Sequence, residues 1–221
     1  MIESTPARLD HAAREVRIPL DEARSGRLVF DAGTPELALS SDPAPNLLLS
    51  AQFSRVRPNV RASGGEVVVT YPAVIPVLGW IRYAVRAPRG RVALNPSIPW
   101  ELEFRRGVTR LEGDLRDLDV RRIVIQSGVS HAALRLGRSS GTVRIGISGG
   151  VSNLELRRPR GMPVRLAIDG SVGSMTLDGE THGALAGRIR KETPAWSTAT
   201  SRLDVTVNGG ISHVVVADDG P

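Results

Sequence analysis

With 221 residues, 41% of them hydrophobic, the chain is long enough to bury a sizeable core, and its lack of cysteine excludes disulfides and thiolate metal ligands. A cysteine-free chain fits a reducing compartment. The net charge of +6 rests almost wholly on arginine, since Lys191 is the only lysine.

Residues 1–14 are polar and alanine-bearing, which suggests a tail or a short cap, and nothing in Met1–Pro6 has the make-up of a secretory signal. From Glu15 the period becomes two. Val16, Ile18 and Leu20 alternate with polar residues, and Leu28, Phe30 and Ala32 do the same up to Gly33, beyond which Leu37 and Leu39 continue. Strict alternation marks strands with one buried face. After the turn-forming Ser41–Asn46 come apolar runs at Leu47–Phe53 and Glu66–Tyr71. Tyr71–Ile81 is the most apolar segment. It is too short to span a bilayer and carries Pro72 and Pro76, so it either packs as a lid or faces a partner through Val77, Leu78 and Trp80.

Arg91–Leu94 and Trp100–Phe104 read as strands around an Asn95–Pro99 turn. A strand–glycine–strand unit then recurs, with bends at Gly107, Gly128, Gly150 and Gly170 in steps of 21, 22 and 20 residues, and returns at Gly210. The signature Gly-(Val/Ile)-Ser repeats at 128, 150 and 210. A fixed period near ~20 residues marks stacked repeats, because one unit cannot bury its own apolar face. Asp178–Ser201 interrupts the series as a divergent repeat or an inserted loop.

The expected fold is all-β, a single-stranded β-helix (β-solenoid) over residues 15–221. An antiparallel meander or sandwich is the alternative, with Asp169-Gly170 and Asn208-Gly209 as hairpin turns. In the solenoid, Ile125, Val143, Ile145, Ile147, Leu154, Leu156, Leu166 and Ile168 point inward as aliphatic ladders. The strand Ile211–Ala217, followed by Asp218 and Asp219, reads as a terminal edge, open to pairing with another chain.

Glu101–Arg165 holds thirteen arginines against seven acids, which is the whole positive excess. That implies a moderately basic central face, either simply solvated or a weak binder of nucleic acid or another anionic surface. The interleaved aromatics of single-strand binders are absent, with aromatics at 4%.

Three patterns invite chemistry and none carries it. Gly146-Ile147-Ser148-Gly149-Gly150 matches a nucleophile elbow, but a second strand, not a helix, should follow it. His131 and His213 each lie three residues after a bend glycine, with two or more units between them, too far apart to share an ion. Asp114, Asp117 and Asp119 alternate with Arg116, Arg121 and Arg122, as in surface ion pairing. No catalytic, cofactor or metal residue is assigned, and no enzymatic activity is expected.

Ile98-Pro99-Trp100, the run Gly107…Asp114-Leu115…Leu118 and the units through Gly210 together resemble the bacterial LiaF-like C-terminal or toast-rack domain, related to "putative adhesin" β-solenoids. That resemblance covers nearly all of the chain from about Glu15. It implies a non-enzymatic scaffold of envelope-stress or signalling systems that oligomerises or contacts a regulatory or membrane sensor protein. The corresponding setting is the cytoplasm, peripheral to the membrane through such a partner. A carbohydrate-binding or adhesive β-helix is a further alternative.

Overall fold

A computed structural model describes residues 15–41, 44–54, 58–71 and 89–219, except the side chains of 34 and 35. The expected 1–14 tail and all of Tyr71–Ile81 beyond Tyr71 lie outside the described residues.

The protein is a β-solenoid built from flattened two-strand coils. In each coil one strand lies in a first sheet, the chain turns a corner, and the next strand lies in a second sheet facing it. Five coils keep this form: β2 (Gly26–Phe30) with β3 (Thr34–Ser41), β8 (Trp100–Phe104) with β9 (Val108–Leu115), β10 (Val120–Ile125) with β11 (Val129–Leu136), β12 (Thr142–Ser148) with β13 (Val151–Arg158), and β17 (Arg202–Asn208) with β18 (Ile211–Asp218). In a sixth, β14 (Val164–Leu177) runs through its corner without a break. Neighbouring coils pair in parallel, in register, through both sheets. This decides against the antiparallel meander.

The stack does not follow chain order. β17 and β18 lie between the β12–β13 coil and β14, paired on both sides. Towards the other end, β2 and β3 lie between the β8–β9 coil and a coil made of β6 (Glu66–Thr70) and β7 (Arg89–Leu94). The strand Ile211–Ala217 is therefore internal, which corrects its reading as an open edge. The turn from β13 to β14 passes over one strand position, and the later coil fills it.

Antiparallel strands flank both ends. β1 (Glu15–Pro19) pairs with β4 (Leu47–Ser54), β4 with β7, and β5 (Asn59–Ser63) with β6. At the opposite end β15 (Glu180–His182) and β16 (Leu185–Glu192) lie against β14, so Asp178–Ser201 supplies a cap rather than a further coil.

Alternation accounts for the core. The eight residues expected to face inward are all buried, none more than 3% exposed. Leu102, Ile123, Ile145, Val205 and Leu166 form one column, and Phe104, Ile125, Ile147, Val207 and Ile168 another. Phe30 extends the second column, stacking on Phe104 with ring centroids 5.7 Å apart. Each fully buried aliphatic side chain contributes about 1.5–3 kcal/mol.

Corners are set by backbone packing on backbone. The Gly128, Gly150 and Gly210 carbonyls accept the N–H groups of Val108, Val129 and Val151 at 3.2, 2.9 and 2.8 Å. Gly149, Gly209 and Gly170 form a second column with φ of +126°, +143° and +153°, and a Cβ on Gly209 would sit 2.5 Å from the Gly149 carbonyl oxygen. Register thus places Gly170 beside Gly209, and Ser171 beside Gly210. The bend series is shifted by one residue in this coil. A Cβ on Gly210 would lie 3.4 Å from the Ser171 hydroxyl.

The Ile98-Pro99-Trp100 signature has a structural cause. Asn95, 1% exposed, donates from Nδ2 to the Leu47 carbonyl (2.5 Å) and accepts the Ser97 N–H at 2.8 Å. Its own carbonyl accepts Trp100 Nε1–H at 2.7 Å. Gly26 lies against the buried indole, where a Cβ would be 2.5 Å from the ring.

Truncating Ile147 to Ala should cost about 2–5 kcal/mol in denaturant unfolding, and a loss below about 0.5 kcal/mol would refute this register. Gly209→Ala should cost more than about 1 kcal/mol, from a disfavoured φ and the Gly149 carbonyl. Gly146→Ala, with nothing within 4 Å of the added Cβ, should leave stability unchanged or raise it by up to about 1 kcal/mol.

Candidate interaction surfaces

Because the coils are filled, the outward side chains are the working inventory. They fall into columns running along the stack, each set by the same parallel register as the core.

In the first sheet Arg27 bridges Glu66 (3.0 Å) and Glu103 (2.5 Å), Arg105 reaches Glu103 at 2.9 Å, and Gln126 Nε2 donates to Glu103 at 3.0 Å. Burial disfavours the Glu103 carboxylate, but hydrogen bonds from Arg105 and Arg27 outweigh it and hold its pKa below the usual carboxylate range. Asp114 is also held low, chiefly by the Arg116 guanidinium at 2.7 Å. These are exposed or half-exposed pairs, worth little singly.

The central arginines do not form one basic face. Arg122 and Arg144 are neighbours in the first sheet, whereas Arg135 and Arg157 are neighbours in the second, on the opposite side of the core. Arg138 and Arg160 meet in the turns, where Arg138 Nη2 donates to the Arg160 carbonyl at 3.2 Å. All three pairs are 22 residues apart, the same step as Gly128 to Gly150. The excess charge therefore encircles the middle coils. Sequence reasoning counted these arginines without applying the repeat period to them, although that period already pairs them.

The remaining chemical patterns resolve as surface structure. Ser148 is exposed at a corner beside Asn208, and β13 follows it, so the elbow motif has no helix. His131 and His213 share a column with one residue, Asn153, between them, rather than the two or more units expected. The later coil's insertion shortens the gap to two strand spacings, about 9.6 Å. Asp119 pairs with Arg121 at 2.7 Å and accepts from Ser139 at 2.8 Å, while Asp117 accepts from Ser41 at 3.2 Å. Among the described residues no group of three or more His, Cys, Asp or Glu side chains could hold a metal ion. A shallow open depression of about 370 Å³ crosses the second sheet where the outward Ala38 and Ala133 leave room between Glu112, Glu155 and Arg157.

Two features were missed. Arg158 is 3% exposed and pairs with Asp178 (2.6 Å) and Asp218; burial pushes its pKa down against the pull of Asp178. Trp196, also buried, lies under the guanidinium groups of Arg165 and Arg202, at 4.7 and 5.0 Å from the ring. Neither shows a sequence motif, because each depends on the out-of-order coil.

At the β16 end the outer edge carries charge. Thr193 donates its N–H to the Val164 carbonyl at 2.9 Å, so by antiparallel alternation the N–H groups of Glu192, Arg190 and Arg188 point away from the stack. Arg188 pairs with Asp169 at 3.5 Å and Arg190 with Glu192 at 2.6 Å. No helix among the described residues is long and apolar enough to cross a membrane.

These features define a toast-rack type of β-solenoid, with flat laddered faces and pairing edges at its ends. The family described as the N-terminal domain of toast_rack, DUF2154, matches residues 8–157, and the chain belongs to it. No match is found among curated proteins. A "putative cell adhesion protein" from Clostridium sporogenes has a similar solved structure, with TM-score 0.71 and 15% identity over 93% of this chain and 98% of that one. A "putative adhesin" from Bacteroides fragilis aligns over 92% of this chain and 95% of its own at 8% identity, with TM-score 0.33. At this identity the Clostridium protein shows a shared fold.

Any binding to nucleic acid should be weak, sequence-blind and steeply salt-dependent, and Arg122→Ala with Arg144→Ala should lower the log–log salt slope by no more than about two. Salt-tolerant binding to one sequence would contradict this. On acidification, Glu103 and Asp114 contribute stability above the ordinary carboxylate range, and it is lost as pH falls through their lowered folded values. Thermal melts of Glu103→Gln should therefore lie below wild type at neutral pH and converge with it in acid; a constant gap would refute the pairing.

Proposed function

We propose that the protein is a non-enzymatic scaffold or interaction module that works by self-association or by binding a regulatory partner protein, in an envelope-stress or signalling setting. The observation that carries this reading is a row of backbone N–H groups at the stack end that no strand among the described residues pairs with. The β16 edge presents outward N–H groups over Glu192, Arg190 and Arg188, while the faces present paired charges and shallow open depressions. Such an edge adds a strand from another chain by main-chain pairing, and the arginines along it limit indiscriminate growth. Family membership supports an interaction role, and the name of the Clostridium protein, a "putative cell adhesion protein", is in keeping with it. The proposed place of action is the cytoplasm, peripheral to the membrane through the partner.

Solution mass across a dilution series tests this, with Arg190→Pro as the edge variant. Wild type should show a concentration-dependent dimer or a captured partner, and Arg190→Pro should lose it while keeping the wild-type melting transition. Wild type monomeric at every concentration, with capture from its own cell's lysate unchanged by Arg190→Pro, would overturn the reading.

A further inference from the structure

The slot between the β12–β13 coil and β14 is walled entirely by residues 142–158 and 164–177, and residues 202–218 fill it. We infer that this slot also accepts the same coil from a second copy of the chain, giving a dimer in which the two copies exchange residues 202–218. This inference shares with the proposed function only the idea that the partner is a second copy.

Three observations support it. The first is reach. β16 and β17 flank β14 on opposite sides, so the link from Glu192 to Arg202 crosses about two strand spacings, or about 9.6 Å. Residues 193–201 number nine, and nine extended residues span about 30 Å. The link is three times longer than insertion in the same copy requires.

The second is that the surplus is held by contacts that can release together. Ala195 sits at φ +63°, and its carbonyl accepts the Ala199 N–H at 3.0 Å. The guanidinium groups of Arg165 and Arg202 both lie over the Trp196 ring, and Arg202 Nη1 donates to the Trp196 carbonyl at 3.2 Å. Unfolding this loop frees an extended tether.

The third is the specificity of the slot for this segment. Asp204 enters between Arg144 and Arg165 and pairs with Arg165. Asp218 meets the buried Arg158, and the Asp219 N–H bonds to the Arg158 carbonyl at 2.7 Å. Gly209 fits between Gly149 and Gly170, where a Cβ has no room. An occupant needs acids and a glycine at these spacings, and a second copy of 202–218 has them. Exchange of an identical element preserves the contacts that 202–218 makes with the walls of the slot, and the contacts it gives up are those of the 193–201 loop.

The chain has no cysteine, so single thiols report placement cleanly. Ser148 and Asn208 are exposed and paired in register across the slot boundary. Full-length Ser148→Cys and Asn208→Cys proteins are mixed in equal amounts, unfolded, refolded together at high concentration and oxidised. Exchange predicts a 148–208 heterodimer exceeding the sum of the two homodimers. Random collision gives a heterodimer equal to that sum, and a yield at or below it would overturn the inference. As a second measurement, deleting Thr193–Ser201 joins Glu192 to Arg202 across a gap that one bond cannot span. A folded deletion variant should be wholly dimeric, a folded monomer would overturn the inference, and if the variant fails to fold the cysteine result decides alone. Edge association through β16 would not bring 148 to 208, so failure here leaves the dilution-series result independent.

Discussion

Everything in this structure depends on the close approach of backbone to backbone at the coil corners. Parallel strands stack at about 4.8 Å, and every turn of the chain must keep that spacing. The corners manage it because glycine carbonyls accept N–H groups from the neighbouring coil and no side chain intervenes. With corners locked, the register of both sheets follows. The aliphatic columns, the Phe30–Phe104 stack and the outward charge ladders are consequences of that one alignment.

A coil is not stable alone, and the order in which coils stack need not be the order in which they are made. At one end β2 and β3 are enclosed by later segments, and at the other β17 and β18 enter between earlier ones. Non-sequential stacking raises the cost of closing loops before contacts form, which favours slow, concentration-sensitive folding. It also removes the edges an in-order solenoid would leave at its last coil. The edge at β16 is guarded by Arg188 and Arg190, each tied to an acid.

Much of this was legible beforehand. Alternation identified the strands, and the recurrence of glycine at 107, 128, 150 and 210 identified the coils and the inward-facing residues. The family followed from the same units together with Ile98-Pro99-Trp100, whose meaning is the Asn95–Trp100 hydrogen-bonded turn. Stacking order was not legible. Parallel pairing is set by side-chain fit between segments at any separation, and the step from Gly170 to Gly210 looks the same whether the second coil lands outside or inside the first. That one ambiguity misplaced Ile211–Ala217 as an edge, overcounted the units between His131 and His213 and concealed the Arg158 and Trp196 contacts. The arginine ladders are a different case. Their 22-residue spacing was available, and applying it would have divided the presumed basic face between two sheets.

Native-state hydrogen exchange tests the stacking order most directly, because it reads how protected each strand is without altering the chain. The account predicts that amides of Leu203–Val207 and Val214–Val216 exchange only with global unfolding, like those of Ile145 and Ile147, while outward amides of Arg188 and Arg190 exchange fast. Rapid exchange across residues 202–218, with 164–177 protected by direct pairing to 142–158, would contradict it.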